Sequence, residues 1–435
     1  ALAGSPLGDR LGEAVEKVTA GTVADEHLAA LAGGRAALFG AVHDALLTRL
    51  DHALGRTRAE WPPTPPATAL TADGADGTGG VDGAAGVGGG VPENVLGGCR
   101  VWLRELAITG WRGVDHDLVS GADQAIEALL AVPRLRGLAV LLDGLAAELR
   151  ASSPVATMDR LPARRWADLW TRGLLLARSG PWNGAPRAVS GRLLILGADV
   201  HEHATVVRVQ VHGVLEEPGG QTRLARTSVA AAKVDTIVGP SVWRLFGGHP
   251  VLLGALAEHR AVEIDGMPLL PGGDLVWHDD RARAGEEADP FATARVQLAG
   301  ALAPAVPPLD RHPVRIAEPV LVEGYTADRQ DEGGLAFVLG GNRIAVDVDR
   351  LPASCPLTPE LVAASSACVG LVRWDGGRWL LQPLAVRATV KKKPMTAHNG
   401  DWATGPTDPK VVKAEAKAGD VVAVLRERAG RLLRK

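Results

Sequence analysis

The hydrophobic periodicity of this sequence changes near Gly180, and this change constrains the fold more than any other feature. Before it, apolar residues recur at helical spacing, as at Trp166, Leu169 and Trp170. After it, apolar and polar residues alternate, most clearly within 204–217, which is typical of a half-buried strand. We therefore predict an α+β fold with a helical N-terminal half and a β-rich C-terminal half that contains a small barrel-like or curved-sheet unit.

Flexible and turn-forming segments divide the chain into several parts. Residues 71–90 include nine glycines and only two valines, a composition that predicts a flexible linker and no core. A proline-rich stretch at 304–313 marks a second boundary. The predicted parts are a helical segment at 1–70, a flexible Gly-rich linker at 71–91, a helical domain at 92–185, a mixed α/β domain at 186–310, a small β domain at 311–393 and a basic helical tail at 394–435.

Local motifs predict where individual elements begin or turn. Gly340-Gly341-Asn342 and Asp375-Gly376-Gly377 each separate two β patterns and predict hairpins. Asp289-Pro290 predicts the start of a helix that runs to about Leu302, and Thr407-Asp408-Pro409 predicts another.

The charge of the chain is unevenly distributed. The net charge is -3, yet the stretch 391–435 carries 11 Lys and Arg against 5 Asp and Glu, which leaves -9 for the preceding residues. The basic run Lys391, Lys392 and Lys393 is a candidate partner-binding surface. A nucleic-acid-associated protein that uses this tail is one alternative, but the excess charge is modest and no aromatic residues interleave it. An acidic protein partner or a solvated chain end fits better, so we consider nucleic acid an unlikely partner.

Cysteine usage and hydropathy indicate the compartment. Cys99, Cys355 and Cys368 are odd in number and form no C-x-x-C, so they predict free buried thiols in a reducing environment. We find neither a signal peptide nor an apolar run of the ~20 residues that a membrane span needs. We therefore expect a cytoplasmic protein without membrane contact.

Searches for motifs that carry chemistry gave no convincing match. No G-x-x-x-x-G-K-[ST] phosphate loop occurs, and the nearest dinucleotide motif, Gly77-x-Gly79, has Asp82 where a third glycine belongs. The serine motif G-x-S-x-G is also absent. The sequence therefore predicts no cofactor and no catalytic residue.

His201-Glu202-His203 is the best candidate for a metal site. On a strand the two histidines share a face, as two ligands of one ion should, and His212 joins them only if the strands bend suitably. A strand end that faces water explains the same residues, and we favour it. A metal-dependent enzyme with its site near His201 and His203 remains an alternative.

Trp166 and Trp170 lie four residues apart on one predicted helix. Exposed, they would form a stripe for binding a partner; buried, they would be ordinary core residues, which we favour.

The segment that contains both tryptophans, Leu161 to Gly180, resembles a stretch of actinobacterial accessory proteins. Those proteins are encoded beside a MoxR-type AAA+ ATPase, a von Willebrand factor A protein and a SWIM zinc-finger protein. The similarity covers about twenty residues and implies a non-catalytic companion in a multi-protein system, with no functional residues to carry over. Taken together, these features predict a non-catalytic binding or scaffold protein in an intracellular multi-protein system, with a protein partner that the resemblance associates with an AAA+ ATPase and von Willebrand factor A system.

Overall fold

The computed structural model describes residues 6–59, 93–178, 185–203, 205–303, 317–329, 334–375, 378–418 and 422–424. The predicted linker at 71–91 and the proline-rich boundary at 304–313 lie outside these residues. Within them the chain forms eleven α-helices and two β-sheets, with seven helices before residue 178 and all thirteen strands after residue 186. The predicted α+β class, helical first and β-rich second, is confirmed.

Seven helices build the N-terminal half around an apolar core. Leu142 and Leu145, near the middle of the sixth helix, are fully buried in it. Trp166 is 0% exposed, and Trp170 packs beside it with its indole N–H donating to the Leu103 carbonyl oxygen at 2.8 Å. Trp166 is therefore a core residue. The helices are α1 (Pro6–Thr19), α2 (Asp25–Ala53), α3 (Glu93–Thr109), α4 (His116–Ser120), α5 (Ala122–Leu130), α6 (Arg136–Ala151) and α7 (Ala163–Leu176).

The first sheet has six strands, which are β1 (Arg187–Glu202), β2 (Val206–Glu216), β3 (Thr222–Ala232), β4 (Arg260–Leu269), β5 (Asp274–Leu275) and β6 (Ala282–Glu287). Their order is β1-β2-β3-β5-β4-β6, and β1 also pairs with β4, so that five strands complete a ring. One face of the ring carries the alternating residues Val207, Val209 and Val211. These pack with Trp243 and Phe246 and with helix α8 (Pro250–Ala257) into the largest core of the C-terminal half.

The second sheet has seven strands, which are β7 (Ala317–Glu323), β8 (Thr326–Arg329), β9 (Leu335–Leu339), β10 (Asn342–Val346), β11 (Ser365–Asp375), β12 (Arg378–Val390) and β13 (Lys393–His398). Their order is β7-β11-β12-β10-β9-β8, with β13 paired to β12. The short helix α10 (Pro359–Ala363) precedes β11. Strand β13 begins at the predicted boundary at residue 393 and continues beyond it, so the second sheet includes residues of the predicted tail.

The predicted local motifs are largely observed. Gly340 and Gly341 connect β9 to β10 with φ angles of 54° and 78°, and α11 (Pro409–Ala418) begins at the predicted proline. Helix α9 (Pro290–Gln297) also begins as predicted, but it ends before the expected Leu302. The residues after it form turns, and the Ala301 carbonyl oxygen accepts from the Leu224 N–H of β3 at 3.1 Å. This contact to the sheet replaces continuation of the helix.

The two sheets pack against each other through a small apolar layer. Leu194 and Leu196 of β1 contact a cluster that includes Val369 of β11 and Ala385 of β12. Gly197 follows, and a Cβ built on it would lie 2.7 Å from the Leu384 Cβ. The absence of a side chain at Gly197 therefore allows β1 and β12 to approach closely.

We expect Gly197→Ala to lower the free energy of unfolding by about 1–3 kcal/mol, because the added methyl group overpacks the contact with Leu384. Urea denaturation of the full chain measures this. Gly254→Ala in α8 is the matched control, since a Cβ there meets nothing within 4 Å, and alanine suits a helix better than glycine. Equal losses in both variants would contradict the close approach at Gly197.

Lys391 and Lys392 form the exposed turn between β12 and β13, and Lys393 is the first residue of β13. Lys391 and Lys392 have φ angles of 51° and 65°, and the flanking residues Val390 and Lys393 pair across the hairpin. Two-residue hairpin turns with positive φ favour Asn-Gly, and a lysine in the left-handed region costs on the order of 1 kcal/mol. The turn therefore holds Lys391 and Lys392 on a backbone that lysine does not favour.

We expect the double variant Lys391→Asn, Lys392→Gly to have a free energy of unfolding about 1–2 kcal/mol higher than that of the natural chain, because it relieves this strain. The control Lys391→Ala, Lys392→Ala removes the same charges but keeps a Cβ at both positions, so it should give no such gain. If both double variants gained equally, charge repulsion and not backbone strain would be the cause.

Candidate functional site

A cavity of about 280 Å³ lies where the helical half meets both sheets. Its helical wall comes from α6 and α7, and residues 317, 350, 371 and 373 contribute from the region of the second sheet. Polar residues of the first sheet and the residue that follows β1 form one part of its lining, and these are Asp199, His201, His203, Arg208, Gln210, His212, Arg226 and Asp274.

Strand register explains why these side chains converge. In β2, alternation places Arg208, Gln210 and His212 on the face opposite the buried valines. Asp199 of β1 lies directly beside Gln210, and Arg226 of β3 lies beside His212. The polar residues of three neighbouring strands therefore form one continuous surface, which the helices then cover.

Asp199 is the centre of a buried hydrogen-bond network. Its Oδ2 is 2.6 Å from the Nε2 of His201, and its Oδ1 accepts from the Nε2 of Gln382 at 2.6 Å. Arg350 donates to the Nδ1 of His201 at 3.1 Å, so Nε2 carries the proton in the neutral ring. Burial would raise the pKa of Asp199, but His201, Arg350 and His212 hold it well below its usual range.

Arg208 of β2 and Arg226 of β3 also belong to the polar face, where the register places Arg208 beside His201 and Arg226 beside His212. Arg226 makes a two-pronged ion pair with Asp274 of β5, whose Oδ2 is 3.0 Å from one guanidinium nitrogen. Arg208 donates to the Ser228 hydroxyl at 2.7 Å, while its Nε is buried without a hydrogen-bond partner. Burial, reinforced by the charge of Arg226, lowers the pKa of Arg208 to about 10. This guanidinium lies in a place that disfavours its charge.

His212 is the most buried histidine of the cavity at 4% exposure. Its Nε2 has no hydrogen-bond partner. Burial lowers its pKa to about 3; the charge of Asp199 opposes this shift, while Arg226 and Arg208 add to it. The ring is therefore neutral at ordinary pH and offers a nitrogen to the cavity side of the sheet.

The helical wall fits closely around His203. A Cβ built on Gly144 of α6 would lie 3.0 Å from the His203 ring. The neighbouring Asp143 accepts a hydrogen bond from the Thr205 hydroxyl, which joins α6 to the start of β2. Burial lowers the pKa of His203, although Asp143 opposes the shift. The helical half is thus bonded to the edge of the polar face.

The sequence-predicted site residues fall into two groups. His201 and His203 both line the cavity, together with His212, and the expected shared face of the strand is observed. They face this cavity, and the His201 side chain is 22% exposed, so the favoured interpretation of a strand end that faces water does not describe them. Both nitrogens of His201 are already engaged by Asp199 and Arg350.

The other predicted site residues lie elsewhere. Trp166 and Trp170 pack in the helical core. Lys391 and Lys392 form the β12–β13 turn and Lys393 begins β13; none of the five lines the cavity. Sequence reasoning missed the arginines and acids of the lining. The alternation of 204–217 was the available signal, because it puts Arg208 on the same face as His212.

The three cysteines are free and buried, as predicted. Burial raises the pKa of Cys99 to about 11 and that of Cys355 to about 12, and it raises the pKa of Cys368 further. Their thiols therefore stay protonated, which makes them poor nucleophiles.

A second cluster of polar side chains lies outside this cavity. His259, His398 and Asp401 bring one ligand atom each within 4.8 Å of one another, and they are the group of metal-ligating type that the described residues contain. The sequence patterns indicated none of the three. His259 lies 139 residues before His398 and 142 before Asp401, so no local spacing connects it to these two.

Comparison with known protein families and with curated proteins found no match to this chain. No helix in the described part of the chain combines the length and the apolar character that crossing a membrane requires.

We expect His212→Gln to flatten the loss of stability in acid. The unfolded chain takes up a proton at this position near pH ~6.5, whereas the folded protein does so only near pH 3. Stability from the neutral ring is therefore complete above about pH 6.5 and falls by up to about 1.4 kcal/mol per pH unit as the pH drops toward 3.

Urea denaturation at a series of pH values measures this slope. His52→Gln is the control, because His52 is exposed on α2, and it should keep the natural slope. If the His212 variant kept that slope as well, the ring would have to be protonated inside the folded cavity.

Proposed function

We propose that the protein binds a small anionic molecule in this cavity and acts as a non-catalytic binding component of an intracellular multi-protein system. The observation that carries the proposal is the half-buried Arg208, whose Nε has no hydrogen-bond partner and whose charge is disfavoured by that of Arg226. A buried N–H without an acceptor is costly, and two neighbouring guanidinium groups repel each other. A ligand carboxylate or phosphate would satisfy the first and offset the second.

The overall charge of the lining supports an anionic ligand. Six arginines and four carboxylates line the cavity, so these groups leave a positive excess. The volume of about 280 Å³ lies just below the range of about 300–1,000 Å³ typical of small-molecule sites. A molecule of metabolite size with one or two acidic groups fits both properties.

The residue types in the lining favour binding over covalent catalysis. The described lining contains no serine, threonine, cysteine or lysine, the usual side chains for nucleophilic attack. His201, the best placed general base, has one nitrogen bonded to Asp199 and the other to Arg350. His212 offers an Nε2 without a hydrogen-bond partner, but its ring is buried.

The position of the cavity suggests how binding would matter to a partner. Its walls belong to the helices and to both sheets, so a bound anion would join parts that are distant in the sequence. Arg165, Asp168 and Arg172 of α7 line it, and they belong to the segment that resembles the accessory proteins described above. This supports a ligand-dependent companion of an AAA+ ATPase and von Willebrand factor A system, with a protein partner.

We expect Arg208→Met to raise the stability of the ligand-free protein and to abolish its response to anions. Removing a desolvated charge is often stabilising, whereas binding loses its principal donor. The melting temperature is measured with and without inorganic phosphate, pyrophosphate and citrate, each at constant ionic strength.

The control is Arg283→Met, whose guanidinium is exposed on β6. It should respond to the anions as the natural chain does. Two results would contradict the proposal, namely equal responses in all three proteins or no response to any of the anions in the natural chain.

A further inference from the structure

Three potential metal ligands meet at one point between the first sheet and the end of β13. The Nε2 of His259 is 2.7 Å from the Oδ1 of Asp401 and 2.6 Å from the Nδ1 of His398. The Nδ1 of His398 is 3.2 Å from the same Oδ1. The three atoms therefore form a small triangle in which each is close to both others.

The local backbone places these atoms with little freedom. His398 is the last residue of β13, and the next residues turn so that the Oδ2 of Asp401 accepts from the His398 N–H at 2.9 Å. In the same turn, a Cβ on Gly400 would lie 3.0 Å from Leu256 of α8, so the turn packs tightly on that helix. His259 comes just after α8, which brings it opposite the turn.

His259 adopts a backbone conformation that a histidine rarely takes. Its φ angle is 51°, in the left-handed region, which costs on the order of 1 kcal/mol for a residue with a Cβ. Glycine or asparagine would fit this position without the cost. Strain of this kind is found preferentially where a side chain has a functional role, and here it directs the imidazole to the cluster.

Hydrogen bonds alone do not satisfy the triangle. Each neutral imidazole carries one proton and Asp401 carries none when ionised, so a proton on the Nε2 of His259 serves one edge and leaves another as two facing lone pairs. Placing a second proton on the Nδ1 of His398 makes one imidazolium or two facing N–H groups across 2.6 Å. A cation at the centre accepts all three lone pairs at once.

We propose that His259, His398 and Asp401 bind a divalent transition-metal ion of the zinc class. Two imidazole nitrogens and one carboxylate oxygen are a common protein ligand set for such ions. Tetrahedral bonds of about 2.0–2.1 Å place ligand atoms about 3.3–3.4 Å apart. The edge of 3.2 Å therefore nearly fits already, and the edges of 2.6 Å and 2.7 Å need to open by about 0.6–0.8 Å.

The exposure of the three side chains determines the form of the site. His398 is 6% exposed and Asp401 18%, whereas the His259 side chain is 38% exposed. One side of the ion therefore faces solvent and keeps at least one position for water or another ligand.

The test uses the full chain, freed of metal with a chelator and then titrated with Zn²⁺ alone. The natural chain should bind one equivalent, and Co²⁺ in place of Zn²⁺ should give visible absorption bands of a site that contains nitrogen ligands. His259→Asn and Asp401→Asn should each weaken Zn²⁺ binding by about 100-fold or more. Asparagine suits the left-handed backbone at 259, so that variant should fold at least as well as the natural chain without metal.

His52→Asn is the matched control, because it removes an exposed histidine on α2 and should leave Zn²⁺ binding unchanged. The proposal would be overturned if the natural chain failed to bind one equivalent of Zn²⁺. It would also be overturned if the His259 and Asp401 variants bound Zn²⁺ as tightly as the natural chain does. A natural chain that binds Fe²⁺ in preference to Zn²⁺ with the same dependence on His259 and Asp401 would support the site and identify its ion. Because none of the three ligands lines the anion cavity, the outcome is independent of that site.

Discussion

The buried polar face of the first sheet is the constraint on which the rest of the structure depends. Asp199 and Arg226 lie on it with less than a tenth of their surface exposed, and charges removed from water are tolerated only when they are paired or hydrogen-bonded. Their partners come from other strands, Gln382 of β12 for Asp199 and Asp274 of β5 for Arg226. Stabilising these two buried charges thus requires β12 to pack on β1 and β5 to lie beside β3. A slip of one residue in β2 would place its valines in the cavity and its arginine in the core.

The bulge in β1 makes this face possible. The pairing register of β1 shifts between Ile195 and Gly197. Before the bulge Leu194 and Leu196 face away from the ring core, and after it Asp199 and His201 do. One strand therefore contributes first to the apolar contact with the second sheet and then to the polar cavity. Without the bulge, the same alternation would send Asp199 into the apolar core of the ring.

The sequence predicts this architecture as far as local patterns reach and no further. Helical and alternating periodicities predicted the α+β order, and the alternation in β2 separated Arg208 from the valines. Whether that polar face meets water or a cavity depends on Gln382, which is 183 residues from Asp199. The parity change at Gly197 and the approach of His259 to His398 depend on register and on packing between distant segments. No spacing in the sequence indicates either of them.

The second sheet contacts the first through an apolar layer and through hydrogen bonds, and these contacts come from more than one segment of the chain. Val369 and Ala385 are fully buried in the apolar layer between the sheets. On one side of this layer Gln382 bonds to Asp199, and on another Asn399 donates to the Ala198 carbonyl oxygen at 3.1 Å. Residues 311–393 hold most of the second sheet, but β13 and Asn399 follow them in the chain. The segment after β12 therefore completes the interface between the sheets. Both the hydrogen bonds and the apolar contacts across this interface need residues from the first sheet and from the region of the second.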